Sequence, residues 1–206
     1  IALSLVGSEM CIRDSDIGRH LGCYGVKSVN SNAIDTLASS GILFKNSFAT
    51  SPGCSPSRAA IATGMYPHNT GVLGLAHAHF GWSLDKKINH IAKYFSKNGY
   101  TSILFGLQHV TYHEKTLGFN KIFPERPADE VLKNITKIID SKIFKKPFYA
   151  EVNFFEPHRP FDYGGVKPDK SKGVYIPKYI PENIYSRREF AEMQGAIKKM
   201  DNTVFK

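Results

Sequence analysis

Cysteine is scarce in this chain. Its three cysteines, Cys11, Cys23 and Cys54, have neither the short paired spacing of a zinc site nor the density of a disulfide framework, so a metal ribbon and a stapled mini-domain are excluded. They leave the redox compartment unread. No apolar run approaches the roughly 18 residues that a spanning helix needs, which excludes a helical membrane span. Repeats and low-complexity tracts are absent too, so there is no solenoid to consider. Acidic residues are the minority: 27 Lys and Arg against 18 Asp and Glu give a formal charge of +9. That balance favours anionic partners. The basic residues are dispersed rather than striped, however, and no nucleic-acid partner is read from them.

What is present suffices for a core. With 206 residues, 42% hydrophobic and 12% aromatic, the chain fits one domain or part of one. Residues 32–41 predict a short helix with apolar positions at 34, 37 and 38 and a glycine stop, and residues 42–48 predict a strand. Apolar positions at 88, 91, 92 and 95, followed by Gly99, predict an amphipathic helix. A buried strand is expected at 101–106, helical spacing returns over 128–144, a second strand follows at 147–155, and a last helix is expected over 187–205. This alternation predicts an α/β architecture with a mostly parallel sheet, whose functional residues gather at the carboxyl ends of strands.

Several stretches carry candidate chemistry. In 51–64, two prolines and a glycine keep the entry turned, Ser55 or Ser57 is expected to cap a helix through 58–62, and Gly64 ends it. Cys54 then sits where a helix start favours negative charge. Residue types alone leave three readings for it: a packed small hydrophobe, a thiolate nucleophile beside Arg58, or the precursor of a modified residue. His109 lies in Gly106-Leu107-Gln108-His109-Val110 and His158 in Glu156-Pro157-His158-Arg159-Pro160, both at expected strand ends. Taken singly, such histidines are more often structural. His77 and His79 alternate in a loop without a third ligand, which reads as surface or pocket rather than metal site. Asp16 opens a glycine-rich turn that contains Cys23, read as a packed and unreactive residue. Asn134-Ile135-Thr136 is a glycosylation sequon, meaningful only in a eukaryotic secretory route.

Cys54-Ser55-Pro56-Ser57-Arg58, followed by Ala59-Ala60 and Thr63-Gly64, resembles the signature of the type I sulfatases, the formylglycine-dependent branch of the alkaline phosphatase superfamily. The motif is long and specific. In that family the cysteine is oxidised after translation to formylglycine, so the resemblance implies a formylglycine-generating or anaerobic maturation enzyme as a partner. Gly74-Leu75-Ala76-His77 and the segments 106–110 and 155–159 give the chain a sulfamidase-like flavour. The implied fold is a large α/β domain with a central mixed sheet flanked by helices.

The resemblance also implies a site. Cys54 would be the nucleophile once modified, Arg58 would stabilise charge, His109 would bond the hydrated aldehyde or act as its base, and His158 would protonate the leaving oxygen or nitrogen. One hydroxyl of the hydrated aldehyde attacks sulfur to give a covalent sulfo-enzyme, and the other expels sulfate. A divalent cation, usually calcium in this family, would be held by an aspartate pair and by residue 54. Asp16 matches the second aspartate; Ser15 stands where the first is expected. Leu107 stands where the family has a lysine, and leucine donates no hydrogen bond, so Gln108 or a residue elsewhere would have to compensate.

The resemblance covers residues 16–206, about the first half of a sulfatase. Residues 1–15 lack the expected strand and its aspartate ending and read as a non-native leader. A later segment of the family supplies an aspartate–asparagine pair to the cation, so this piece alone is expected to be inactive. The implied substrate is a sulfated sugar or an aryl sulfate, as ester or sulfamate, in a periplasmic, secreted or lysosomal setting. Two alternatives stand beside it: a phosphodiester or phosphonate hydrolase of the same superfamily, and a silent binder of sulfated polysaccharide.

Overall fold

A computed structural model describes residues 2–5, 8–11, 16–77, 79, 81–141 and 147–204. The chain divides into two compact units, one made of residues 1–47, 127–129 and 155–206, the other of 48–126 and 130–154. No described helix is long and apolar enough to cross a membrane.

The second unit holds the sheet. Strands β3 (Thr101–Gly106) and β5 (Phe148–Asn153) run parallel, from the pair Thr101–Phe148 to the pair Gly106–Asn153, and β4 (Lys121–Phe123) adds to the other edge of β3, also parallel. Parallel pairing demands crossover connections, and helix α5 (Ala128–Asp140) supplies the one between β4 and β5. Its Val131, Ile135 and Ile138 repeat at i, i+4 and i+7 and pack with Ile103 and Phe105 of β3. Each such side chain, when fully buried, contributes about 1.5–3 kcal/mol. A second cluster joins Ala59, Val72, Leu84, Val110 and Leu117. It fixes helix α2 (Cys54–Thr63) and the loop after β3 in one body.

Strand β3 needs glycine at its end. Gly106 has φ +82, and a Cβ there would lie 1.8 Å from the Asn153 carbonyl oxygen. No side chain fits that approach. Helix α4 (Ile91–Lys97) begins three residues later than its apolar pattern predicts, because the Nδ1 of His90 accepts the Ala92 N–H at 3.1 Å and caps it.

In the first unit, α1 (Asn32–Ser40) meets α6 (Ile184–Val204) through a carboxylate. Asp201 accepts the backbone N–H groups of Ala33 and Ile34 at 3.0 and 2.9 Å, capping α1 from another helix. Gln194, fully buried on α6, accepts from the Tyr175 N–H at 2.9 Å and donates to the carbonyls of Asp169 at 3.0 Å and Gly173 at 2.9 Å. Asp169 itself bonds Ser171 and Asn30. Burial raises its carboxyl, but those bonds and Lys198 prevail and hold it at about 2.

One expectation is corrected. Residues 43–48 form no strand, and only a single bridge residue appears at Ile42; Ile42, Phe44 and Phe48 are 62%, 51% and 91% exposed, so their β-propensity finds no face to pack on. Residues 2–5 and 8–11 carry β1 (Ala2–Leu5) and β2 (Ser8–Cys11), paired antiparallel with each other in a sheet separate from that of β3, β4 and β5.

Candidate functional site

Cys54 is the first residue of α2 and half-buried. Gly53 is the N-cap, extended at φ −81 and ψ 142, and no side chain caps the helix. The expected caps Ser55 and Ser57 are instead buried inside the first turn; the Ser55 hydroxyl accepts the Ala76 N–H at 3.0 Å and ties down the loop that carries His77. With Pro56 contributing no N–H, the amides of Cys54 and Ser55 are the donors left at this end, aimed along the helix dipole. Arg58 follows Cys54 by four residues and so lies one turn on along the same face. Its Nη1 donates to Asn153 Oδ1 at 2.9 Å, while its Nε is buried without a hydrogen-bond partner among the described residues.

Behind Arg58 lies a polar line on β5. Asn153 Nδ2 donates to Glu151 Oε1 at 2.9 Å, the Tyr149 hydroxyl reaches Glu151 Oε2 at 3.4 Å, and His90 Nε2 stands 3.8 Å from that oxygen. Burial lowers the His90 pKa against the pull of Glu151, and burial followed by Glu151 pushes the Tyr149 hydroxyl well above its ordinary range. The sequence reading missed Asn153, Glu151 and His90. The available signal was the alternation Tyr149, Glu151, Asn153, three polar groups at period two in a strand otherwise apolar.

His109 stands on the loop after β3, buried, with φ +62, a conformation rare outside glycine. Gln108 holds that loop: its Oε1 accepts from the Val110 and Thr111 N–H groups at 2.6 and 3.1 Å and its Nε2 donates to the Thr111 carbonyl at 2.6 Å. The His77 ring stacks on His109 with centroids 4.4 Å apart, and His77 Nδ1 meets His109 Nε2, so one imidazole donates to the other. Both rings line a cleft of about 230 Å³ together with Leu107, Tyr112, Glu114 and Arg126. Thus Cys54, Arg58 and His109 belong to one unit, at or near the carboxyl ends of parallel strands.

Asp16 and His158 belong to the other unit. Asp16 is exposed. The His158 Nδ1 lies 2.5 Å from the Arg159 carbonyl oxygen; a carbonyl only accepts, so Nδ1 carries the hydrogen and Nε2 is left to exchange a proton. Glu156, expected beside it in a functional segment, is buried and accepts the Ala128 N–H at 3.0 Å, which makes it a helix cap; burial pushes its carboxyl up. Cys23 is pushed up to about 11 by burial and by Asp35, and stays a thiol at neutral pH.

Residues 12–205 match the family model described as Sulfatase. The chain belongs to the sulfatase family. It is 26% identical over 220 residues to the human N-sulphoglucosamine sulphohydrolase, covering 92% of this chain and 44% of that protein. It is 33% identical over 167 residues to the ulvan-active sulfatase of Formosa agariphila, covering 79% of this chain and 31% of that one. The fold is similar to the crystal structure of the putative sulfatase yidJ from Bacteroides fragilis, with TM-score 0.70 at 23% identity, over 90% of this chain and 54% of that chain. This sulfatase chain therefore spans less than half the length of these two curated relatives, and the α/β fold is the alkaline-phosphatase-like one expected.

Among the described residues of this sulfatase, no group of three or more His, Cys, Asp or Glu is placed to hold a metal ion. A hard cation such as calcium takes six to eight oxygens, and Asp16 supplies one carboxylate. The described residues do not by themselves make a cation site.

Proposed function

We propose that this chain is the nucleophile-bearing part of a hydrolase that removes sulfate from a sulfated sugar, as an ester or a sulfamate. The observation that supports it most is the placement of Cys54 as the first residue of an uncapped α2, with Arg58 one turn on and held by Asn153. Formylglycine made from Cys54 supplies, when hydrated, one hydroxyl to attack sulfur and a second to release sulfate. The chain's own residues do the rest. The Cys54 and Ser55 N–H groups and the Arg58 guanidinium stabilise negative charge at residue 54 and on sulfate oxygens. His109, locked against His77, exchanges a proton at that position. His158 offers Nε2 to the leaving group, and Asp16 would offer a carboxylate to a divalent cation; family likeness supports these two roles.

The reading is tested by mass spectrometry of the tryptic peptide that ends at Arg58, after coexpression with a maturation enzyme. Aldehyde in place of the Cys54 thiol is expected. An unmodified thiol in a preparation that releases sulfate overturns the mechanism. Comparing an aryl sulfate with an aryl phosphate diester as substrate then separates sulfatase from phosphodiesterase, with faster turnover of the sulfate expected.

A further inference from the structure

The cleft beside His109 has a wall chemistry that the hydrolytic roles do not use. Its volume, about 230 Å³, is below the roughly 300–1,000 Å³ of pockets for drug-sized ligands and suits one monosaccharide-sized group. Leu107 makes part of the wall apolar. Gln108, next to it, is buried and has its Oε1 and one amide N–H committed to Val110 and Thr111, which leaves a single N–H.

Among the described residues that line the cleft, Arg126 is the one with a fixed positive charge. It is exposed and makes no hydrogen bond or ion pair with any described residue. A guanidinium presents a planar fork of donors that matches a carboxylate or a sulfate with two parallel bonds. Tyr112, 57% exposed, offers a broad ring on which the C–H face of a pyranose can lie. Glu114 completes the lining with a carboxylate, which accepts from hydroxyls and repels a second anion.

We propose that this cleft binds a singly anionic sugar residue, with Arg126 as its specificity-determining contact to the anionic group, the ring against Tyr112 and free hydroxyls toward Glu114. It rests on the saccharide reading above but not on hydrolysis. The anion is a sulfate or a uronate carboxylate, both of which fit the same fork.

The test is a titration of the isotope-labelled chain, with the Cys54 thiol unmodified, followed by NMR at the Leu107 and Tyr112 amides. Three probes are used: glucose 6-sulfate, glucuronate and glucose. At least one anionic sugar is expected to bind tenfold or more tightly than glucose, and which of the two does so identifies the source of the anion. Arg126→Gln should abolish that preference and Arg126→Lys restore part of it, with thermal melting unchanged because Arg126 anchors nothing. Equal binding by wild type and Arg126→Gln, or equal binding of glucose and both anions, overturns the proposal. If Arg126-dependent binding persists while Cys54 never yields an aldehyde, the hydrolase reading fails and the subsite stands.

Discussion

The carboxamide of Asn153 reads Arg58 on one side and Glu151 on the other, its Oδ1 2.9 Å from the Arg58 Nη1 and its Nδ2 2.9 Å from a Glu151 oxygen. Arginine only donates and an ionised carboxylate only accepts, so the amide has one orientation that satisfies both. The pair thereby fixes a long side chain that stands one helical turn from Cys54.

Asn153→Ala is therefore expected to slow sulfate release by the matured enzyme about ten- to hundredfold, since a hydrogen bond to a charged group is worth about 1.5–3 kcal/mol. The loss should appear in kcat more than in KM. Steady-state kinetics on an aryl sulfate measure it, and circular dichroism checks that the fold is kept.

Gly106→Ala should be far more damaging to the fold than an ordinary glycine replacement. The added Cβ meets the Asn153 carbonyl at 1.8 Å from a backbone at φ +82, and a loss of about 3 kcal/mol or more is expected. Urea unfolding of the two proteins gives the comparison, and equal midpoints would contradict the packing described for β3 and β5.

Acidification should weaken the protein through two buried imidazoles. Burial lowers the pKa of His20 and of His90 from the model-peptide value of 6.5. Below that value the unfolded chain takes up protons that the folded chain refuses, so their contribution is complete above about pH 6.5 and is lost as the pH falls toward the folded pKa. His20 stacks on Phe190 and meets Tyr175 edge-on, with no hydrogen bond at its Nε2 from any described residue. His20→Phe should accordingly flatten the fall in urea midpoint between about pH 7.5 and about pH 5.

Asp201→Ala removes the acceptor of two buried N–H groups at the start of α1. A loss of about 2 kcal/mol is expected, as for other caps and stranded donors. Asp201→Asn, with one acceptor oxygen in place of two, should lose less, and guanidinium denaturation distinguishes the three proteins.

Much of this architecture was legible because its signals are local. The period-3.6 stripes of α5 and α6, the apolar run of β3 and the positive-φ glycine after Thr63 need only neighbouring residues to be read. The contacts that hold the site are not local. Arg58 and Asn153 are 95 residues apart, and Asp201 caps a helix 168 residues before it. Ser55 had the composition of a cap and found the Ala76 amide instead, because the helix began at Cys54 rather than after it. Residues 42–48 had strand propensity without a partner strand, and propensity alone did not carry them. The pairing of His77 with His109 could not be read from the chain, since neither lies in a periodic segment.

The buried amide of Gln194 holds the segment 169–175 through three main-chain contacts, and the side chains of Asp169 and Ser171 tie the same segment to Asn30. The exposed side chains of Lys170 and Lys172 take no part in those contacts among the described residues, and at these two positions surface charge can be rewritten without disturbing the scaffold beneath.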